Sequence, residues 1–280
     1  MTECRLCKSK KIRLIKHGVR DNSDIDVYKC QKCGLEFLSQ FNQADEQFYT
    51  NGQMHSTYEV DCWLNHTQID DKRRVKSLLP LIKNKKVLDF GTGNGGFLIY
   101  SKDIVESVVG YEIDLSLREH YEKHNLSVEQ NLDFLKDKFD VITMFHVLEH
   151  IKEPENVLKN LKKYFNKKGR LIIEVPNSND ALLTIYKNEA FKNYTYWSCH
   201  LFVYNATNLK TILKNSGYKI KKINYVQRFP YTNHIGWIKN KKPGGHGIYH
   251  LNKYLNILYT LILKILHKTD TIVVVAEPIL

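Results

Sequence analysis

Long hydrophobic runs are what this sequence of 280 residues most clearly lacks. Its most apolar stretch, roughly residues 251–266, is interrupted by four polar residues: Asn252, Lys253, Asn256 and Lys264. We therefore expect no membrane-spanning helix. No apolar run opens the chain, so we expect no secretion signal either. Internal repeats and low-complexity tracts are also absent, which favours a cytoplasmic globular protein with one α/β domain and a small appendage, or with two modest domains.

Acidic residues are too few to balance the basic ones. The chain has 42 Lys and Arg against 30 Asp and Glu, a formal charge of +12. A basic surface attracts phosphate groups, which raises the possibility of a nucleic-acid partner. The excess is carried by lysine, however, although arginine is the better bidentate reader of phosphates and bases. The favoured interpretation is a lysine-rich solvated surface with a small anionic substrate, and nucleic acid is the less favoured alternative.

Cysteine is scarce, but four of the six residues form two pairs, Cys4-x-x-Cys7 and Cys30-x-x-Cys33. Each such turn points two thiolates at one ion, and two turns complete a tetrahedron. In a reducing compartment paired cysteines are metal ligands more often than disulfides. We predict a structural zinc site, because four thiolates leave no open position for a substrate. Four unrelated thiols, or an iron–sulfur or redox centre, are the alternatives.

Three segments follow from the pattern of the chain: a zinc-binding module at 1–40, a connector and helix at 41–84, and the main domain at 85–280. Residues 85–226 alternate apolar runs with amphipathic segments, as expected for an α/β, doubly wound, Rossmann-like sheet. The predicted strands are Lys86–Phe90, Ser107–Glu112, Phe139–Phe145, Arg170–Val175 and Tyr218–Val226. The predicted helices lie near Gly96–Lys102, Leu115–His124, Glu155–Phe165 and Thr207–Ser216. Gly169 and Gly217 are predicted to end helices, and an insertion with a further helix is expected at about 227–268.

A glycine-rich turn follows the first predicted strand of that sheet, in the run Val87-Leu88-Asp89-Phe90-Gly91-Thr92-Gly93-Asn94-Gly95-Gly96. Glycines allow the backbone to approach a ligand closely and to adopt positive φ. Such a turn also suits dinucleotides. The next strand ends at Glu112, whose carboxylate could accept hydrogen bonds from two ribose hydroxyls. Asp114 is a competitor, but we expect it to cap the helix that begins at Leu115.

Residues further along the chain indicate which ligand the glycine-rich turn binds. With Phe139-Asp140-Val141-Ile142 and His146-Val147-Leu148-Glu149-His150-Ile151, the chain resembles class I methyltransferases that use S-adenosylmethionine (SAM), over about residues 70–226. Dehydrogenases normally have Gly-x-Gly-x-x-Gly without the Leu-Glu-His-Ile segment. The resemblance implies a Rossmann-like methyltransferase sheet and SAM as cofactor.

The resemblance also implies which residues hold SAM. Those at the methionine end would be Asp89, Gly91, Thr92, Gly93 and Gly95. Glu112 would bind the ribose, and Asn131 or Asp133 would lie near the adenine. Phe145 and His146 would line the sulfonium pocket.

Methyl transfer from sulfonium is an in-line displacement, and a hydroxyl acceptor must also lose a proton. Histidine suits that task near neutral pH. The catalytic candidates are His200, His150 and Glu149. In the alternative interpretation Glu149 and His150 anchor the next helix, and His200 has a packing role.

The combination of a four-cysteine module with this core is similar to zinc-containing sugar C-methyltransferases that act on nucleotide-linked deoxysugars. Those enzymes carry Tyr-x-Glu-His, whereas this chain reads Trp197-Ser198-Cys199-His200. The histidine is retained, but the two groups suited to forming an enolate are not. We therefore expect O-methylation, with sugar C-methylation as the alternative.

The C-terminal segment resembles methyltransferases of bacterial surface-polysaccharide synthesis. The residues that carry this resemblance are Asn233-His234, Trp237, Lys242-Pro243-Gly244-Gly245-His246 and Thr269-Asp270-Thr271-Ile272. It implies a nucleotide-linked sugar or another anionic glycan precursor as acceptor, including a capsule phosphoryl-type modification. His234, Trp237 and His246 would then contribute to the acceptor pocket, unless this segment is a rigid Pro-Gly turn.

Two readings from other classes stay open: an RNA-binding protein whose zinc ribbon docks nucleic acid, and a SAM-sensing scaffold without catalysis. The first has thin support, because residues 1–40 offer few arginines and aromatics. Apolar residues recur at near-helical spacing close to the C-terminus, at Leu251, Leu255, Leu258, Ile262 and Ile265. They favour a core or a homodimer face over a membrane anchor.

Overall fold

The computed structural model of the chain describes residues 3–42, 46–52, 54, 59–244 and 252–279. The first part contains β1 (Ile12–Lys16), β2 (Val27–Cys30), β3 (Glu36–Leu38), α1 (Glu46–Thr50) and α2 (Val60–Ile82). The central part contains β4 (Lys86–Phe90), α3 (Gly96–Ser101), β5 (Ser107–Tyr111), α4 (Arg118–Lys123), β6 (Val128–Glu129), β7 (Phe139–Phe145), α5 (Pro154–Leu161) and β8 (Phe165–Pro176). The last part contains α6 (Ala181–Thr184), α7 (Glu189–Thr195), β9 (Phe202–Val203), α8 (Ala206–Asn215), β10 (Tyr218–Val226), α9 (Tyr231–Asn240), α10 (Lys253–Ile265) and β11 (Thr271–Pro278).

The larger sheet has seven strands in the order β10-β11-β8-β7-β4-β5-β6. Strands β8, β7, β4, β5 and β6 are parallel, and β11 runs antiparallel to both of its neighbours. The central strands carry side chains that are buried on both faces, as parallel strands between two helical layers require. The carboxyl ends of β4, β5 and β7 meet at one edge, which is where doubly wound sheets bind their ligands.

The smaller sheet has the order β1-β2-β3-β9 and is antiparallel. Its last strand comes from far along the chain, because Phe37 pairs with Phe202 and Glu36 pairs with Val203. The backbone N–H of Leu38 also donates to the carbonyl of Leu201, at 3.1 Å. Residues from the N-terminal segment and from the segment before α8 therefore form one sheet.

The predicted elements of the main sheet are close to those observed, and three strands have the predicted bounds: β4, β7 and β10. Helix α8 begins at a capping box, in which the Asn205 side chain accepts from the N–H groups of Thr207 and Asn208. Gly217 follows this helix with φ +76°, as expected of a glycine that ends a helix.

The prediction that Gly169 ends a helix was wrong. Helix α5 ends at Leu161 and a short 3-10 turn follows to Tyr164, so Gly169 lies inside β8, which already begins at Phe165. A Cβ at Gly169 would lie 2.5 Å from Cδ1 of Phe165, so this glycine makes room for an aromatic ring. The Lys-Lys-Gly sequence hid the early start of the strand, because it has low β-propensity.

The segment after β10 contains two helices where the sequence predicted an insertion and one helix. His234 and Trp237 lie on α9 and are buried. His246, Gly245 and Leu251, which the sequence analysis named, lie outside the described residues. Within the ranges described above, no helix combines the length and apolarity needed to cross a membrane.

Candidate active site

The glycine-rich turn lies at the carboxyl end of β4 and folds tightly. The backbone N–H groups of Gly91 and Thr92 both donate to the carbonyl of Tyr111, at 2.7 and 3.1 Å. Gly91 and Gly93 have φ of +75° and +53°, a region that side chains strongly disfavour. A Cβ at Gly93 would lie 3.0 Å from the indole of Trp63, on α2. Helix α2 therefore covers the turn closely, and a side chain at position 93 would collide with it.

Asp89, predicted to hold the methionine end of SAM, is buried and 2% exposed. Its carboxylate accepts hydrogen bonds from the hydroxyls of Thr143, at 2.6 Å, and Thr92, at 2.9 Å. Burial raises the pKa of Asp89 to about 7, against the effect of these two hydrogen bonds. In this arrangement Asp89 ties the turn to the neighbouring strand β7 and so fixes its shape.

Glu112 lies directly after β5, beside the same turn. Its carboxylate accepts three backbone hydrogen bonds, from Gly93 at 2.9 Å, Ile113 at 2.8 Å and Asp114 at 3.2 Å. Burial raises the pKa of Glu112, although the three N–H groups act in the opposite direction. Asp114 caps the following 3-10 turn by accepting from the N–H of Ser116, so the expectation that it acts as a cap is confirmed. Glu112 is therefore the acid at this edge that faces the glycine turn.

The residues predicted to lie near the adenine are exposed. Asn131 begins a short 3-10 turn at residues 132–134, and its side chain accepts from the backbone N–H of Asp133, at 2.9 Å. Both residues follow closely after β6, which ends at Glu129. Their role in binding stays a prediction.

Phe145 and His146, predicted at the sulfonium pocket, lie at the end of β7. Phe145 packs edge-on against Phe97, with ring centroids 4.9 Å apart. His146 has φ +57°, which turns its ring back toward the next 3-10 turn, where its Nδ1 lies 3.2 Å from Oε1 of Glu149. Burial and Arg228 lower the pKa of His146, but the neighbouring carboxylates of Glu149 and Glu174 outweigh them and raise it.

A buried ion network surrounds His146, and the sequence analysis missed it. Glu174, 1% exposed, accepts hydrogen bonds from Arg73 at 2.7 and 2.8 Å and from Arg74 at 2.9 and 3.0 Å. Arg228, which follows β10, donates to Nε2 of His146 at 2.9 Å and lies 2.7 Å from Asp70. The signal was present in the sequence, because Glu174 interrupts the apolar run of a strand that is buried on both faces.

Next to this network, the three predicted catalytic side chains lie close together. A carboxylate oxygen of Glu149 and one ring nitrogen each of His150 and His200 lie within 4.8 Å of one another. Oε2 of Glu149 and Nδ1 of His150 are buried and have no hydrogen-bond partner among the described residues. Buried polar atoms are normally hydrogen-bonded, so these two atoms are available to a water molecule or to a ligand.

The charges of these groups are set by burial. Burial and the neighbouring His150 lower the pKa of His200 to about 3, and burial also lowers the pKa of His150. Burial would raise the pKa of Glu149, but the hydrogen bond from His146 holds it below its usual range. At neutral pH the cluster therefore presents two neutral imidazoles and one carboxylate. Such a group can orient a hydroxyl, with Glu149 as the anionic group able to accept a proton.

The four paired cysteines converge as predicted. Sγ of Cys4 lies 3.6 Å from Sγ of Cys33, Sγ of Cys7 lies 3.5 Å from Sγ of Cys30, and all four sulfurs lie within 4.8 Å of one another. A tetrahedral zinc ion with bonds of about 2.3 Å separates its sulfurs by about 3.8 Å. The cluster can thus hold a metal ion, and its all-thiolate donor set suits zinc.

The N-terminal residues also hold the loop that carries His200. Asp21 accepts from the N–H of Ser198 at 2.9 Å and from its hydroxyl at 2.5 Å. The hydroxyl of Tyr196 donates to Glu36 on β3, at 2.7 Å. The guanidinium of Arg20 lies over the ring of Trp197, 4.9 Å from its centroid. The smaller sheet is therefore a wall of the site that contains His200.

The main domain resembles known proteins. A family model described as a methyltransferase domain matches residues 65–223, more than half of the chain. The ubiquinone biosynthesis O-methyltransferase of Coxiella burnetii is 31% identical over 113 residues, which are 35% of this chain and 46% of that protein. The tRNA U34 carboxymethyltransferase of Sulfurimonas denitrificans is 29% identical over 104 residues, 33% of this chain and 35% of that protein. The aligned part is thus less than half the length of either relative.

Solved structures agree on the fold. A SAM-dependent methyltransferase from Archaeoglobus fulgidus superposes with a TM-score of 0.52 at 18% identity, over 75% of this chain and 94% of that one. The predicted doubly wound α/β fold is confirmed by this likeness and by the strand order.

Proposed function

The chain belongs to the methyltransferase-domain family and is a SAM-dependent methyltransferase, and we propose that it methylates a hydroxyl oxygen of a small glycan precursor. The acceptor class is a nucleotide-linked sugar or a similarly anionic sugar, such as a capsule phosphoryl-type modification. The observation that carries this proposal is the pair of orphaned buried atoms, Oε2 of Glu149 and Nδ1 of His150, beside His200. A hydroxyl can donate its one proton to the first and accept a hydrogen bond from the second.

The position of this cluster fits the transfer. Phe145 and His146 end strand β7 at the edge where the glycine turn and Glu112 also lie, and Glu149 follows three residues later. SAM held by Glu112 and the turn would present its methyl group toward the end of β7. Glu149, kept in place by Nδ1 of His146, would take the acceptor proton, while His150 and His200 orient the oxygen.

Oxygen is favoured over carbon as the methylated atom. An enolate mechanism needs an acid such as tyrosine beside the acceptor, and Trp197 stands where the sugar C-methyltransferases have it. The adjacent Tyr196 is not available, because its hydroxyl is committed to Glu36. Tyr49, whose ring centroid lies 6.3 Å from that of His150, has a buried hydroxyl with no hydrogen-bond partner in the part of the chain that the structure describes, so sugar C-methylation stays the alternative. The Coxiella burnetii relative is named as an O-methyltransferase, which supports the same choice.

An anionic sugar is favoured by the wall of the site. Arg20 lies between two aromatic rings, 5.0 Å from the centroid of Tyr194 and 4.9 Å from that of Trp197. A guanidinium pairs with phosphate, so Arg20, held over these two rings, suits the phosphate of a phosphorylated sugar. The zinc ion we assign to the four cysteines is structural in this proposal.

The first test is binding of S-adenosylhomocysteine, the demethylated cofactor, measured by calorimetry. Glu112→Ala removes the acceptor for two ribose hydroxyls and the support of the turn, each hydrogen bond to a charged group contributing about 1.5 kcal/mol or more. We expect affinity to fall about 100-fold. The control is Glu106→Ala, at an exposed acid just before β5. Equal affinities of the two variants for S-adenosylhomocysteine would show that Glu112 does not contribute to cofactor binding.

The second test is transfer of a labelled methyl group to nucleotide-linked sugars and, in parallel, to tRNA, in view of the Sulfurimonas denitrificans relative. His150→Ala is expected to lower transfer to the sugar at least about 100-fold while leaving S-adenosylhomocysteine binding intact. Methylation of tRNA alone, or deuterium exchange at the carbon next to a keto group of the sugar, would contradict the proposal.

A further inference from the structure

Helix α10 turns its apolar face away from the protein. Eight large apolar side chains in the helix or directly after it are 44–83% exposed: Tyr254, Leu255, Ile257, Leu258, Leu261, Ile262, Ile265 and Leu266. Single exposed apolar residues are normal, but a contiguous helical face of this size marks an interaction surface. These eight side chains together form the apolar face of α10.

The opposite face of α10 attaches the helix to the rest of the chain, largely by polar contacts. Oδ1 of Asn256 accepts from the backbone N–H of Tyr231, at 3.0 Å. The hydroxyl of Tyr259 lies 2.5 Å from Nδ1 of His234 and 3.1 Å from the hydroxyl of Tyr186. Leu263 is buried on the same side. Surface helices normally point their apolar stripe inward, so the orientation of α10 is reversed.

The charged residues in the sequence around this helix all have one sign. Residues 190–269 contain 13 Lys and Arg and no Asp or Glu, whereas the rest of the chain contains 29 basic and 30 acidic residues. The whole positive excess of the protein therefore lies in this segment. Six of its lysines flank the apolar face of α10 in sequence, at the end of α9, within α10 or directly after it: Lys239, Lys241, Lys242, Lys253, Lys264 and Lys268.

We propose that the apolar face of α10 docks on an anionic phospholipid surface, with the helix lying in the plane of the interface. Helices that do this combine a strong apolar face with flanking lysines, which are attracted by acidic headgroups. The sequence pattern favoured a core or homodimer face over a membrane anchor. The exposure of the eight side chains excludes a core position, and the charge distribution argues against a homodimer face. A two-fold contact brings the same surface patch of both copies together, and residues 190–269 contain no acid to meet the six lysines.

Nucleic acid would account for the lysines but not for eight exposed apolar side chains. Phosphate backbones are bound by basic and polar groups, and single strands add aromatic stacking. Of the eight, seven are aliphatic. Insertion among acyl chains explains the exposure of these side chains, whereas contact with phosphate does not.

The experiment is co-sedimentation of the full chain with vesicles of phosphatidylcholine, with and without phosphatidylglycerol. We expect binding that requires phosphatidylglycerol and weakens as salt is raised. The double variant Leu258→Ser, Ile265→Ser is expected to bind these vesicles at least about tenfold more weakly. A second double variant, Lys241→Gln, Lys242→Gln, is expected to bind them about tenfold more weakly. The matched controls are Ile69→Ser, at an apolar residue of α2 that is 60% exposed, and Lys167→Gln, Lys168→Gln, at exposed lysines of β8.

All four variants lie outside the SAM site, so each should bind S-adenosylhomocysteine like the parent chain, and this also checks that each is folded. Failure of the docking proposal is therefore distinguishable from failure of the proposed function. Equal binding to neutral and anionic vesicles, or equal loss in the controls, would overturn it. So would a dimer in light scattering that Leu258→Ser, Ile265→Ser dissociates, or salt-sensitive binding to RNA with no binding to vesicles.

Discussion

Loss of metal from the four-cysteine site is expected to have the largest effect of any single change in this protein. Cys33→Ser leaves three thiolates for a site whose sulfurs already stand at zinc-binding separations. Structural zinc contributes about 10 kcal/mol to the folding of small modules. Strands β3 and β9 of the smaller sheet are only three and two residues long, so their backbone hydrogen bonds alone contribute little stability. We expect this sheet to unfold in the variant, as measured by a new low-temperature transition and by loss of bound zinc.

The consequence for function should be selective. The loop with His200 is held by Asp21 and Glu36 from the smaller sheet, whereas Glu112 and the glycine turn belong to the larger one. We therefore expect Cys33→Ser to abolish transfer to the acceptor while binding of S-adenosylhomocysteine stays within a few-fold. Cys62→Ser is the control, because Cys62 is exposed on α2 and has no part in the cluster. Loss of cofactor binding together with acceptor transfer would show that the two sheets do not act separately.

Asp21→Ala tests the same connection without touching the metal. It removes both hydrogen bonds to Ser198 but leaves the four cysteines in place. A loosened loop should raise the KM for the acceptor, with the zinc content and the melting temperature nearly unchanged. A fall in zinc content would indicate that Asp21 supports the cysteine turns themselves.

The parts of this molecule that the sequence predicted are those with a local signal. Strands β4 and β7 are short apolar runs beside glycine or acidic residues, and the cysteine pairs have a spacing that few other sites use. Glu112 was found because an acid that ends the second parallel strand has a fixed place relative to the glycine turn. In each of these cases a few neighbouring residues determine the geometry.

The parts that the sequence did not predict depend on contacts between distant residues. Strand β9 is two residues long and exists because β3 offers it an open edge, so no periodicity in residues 196–205 could reveal it. The ion network around Glu174 joins residues about 100 positions apart. Helix α10 was visible as a pattern, but its pattern cannot say which side faces the protein, since an apolar stripe is the same whether it points inward or outward.

That ion network supplies the second large effect. Glu174→Gln keeps the shape of the side chain and removes the negative charge that Arg73 and Arg74 share. Removing one partner of a buried ion pair typically costs about 3–5 kcal/mol, because the remaining charge has lost its compensation. We expect the free energy of unfolding at neutral pH to fall by about this amount, measured by denaturant titration. The control is Glu277→Gln, at a half-exposed carboxylate that pairs with Arg170 and Lys221.

The pH dependence of this difference identifies its cause. Burial would raise the pKa of Glu174, but Arg74, His146 and Arg73 hold it well below its usual range in the folded chain. A carboxyl group with a depressed folded pKa stabilises the protein above its unfolded pKa, and that contribution is lost as pH falls through the folded value. The gap between parent and Glu174→Gln should therefore be full at neutral pH and close in strong acid. A gap that stays constant down to the acid limit would mean that packing, and not charge, makes Glu174 necessary.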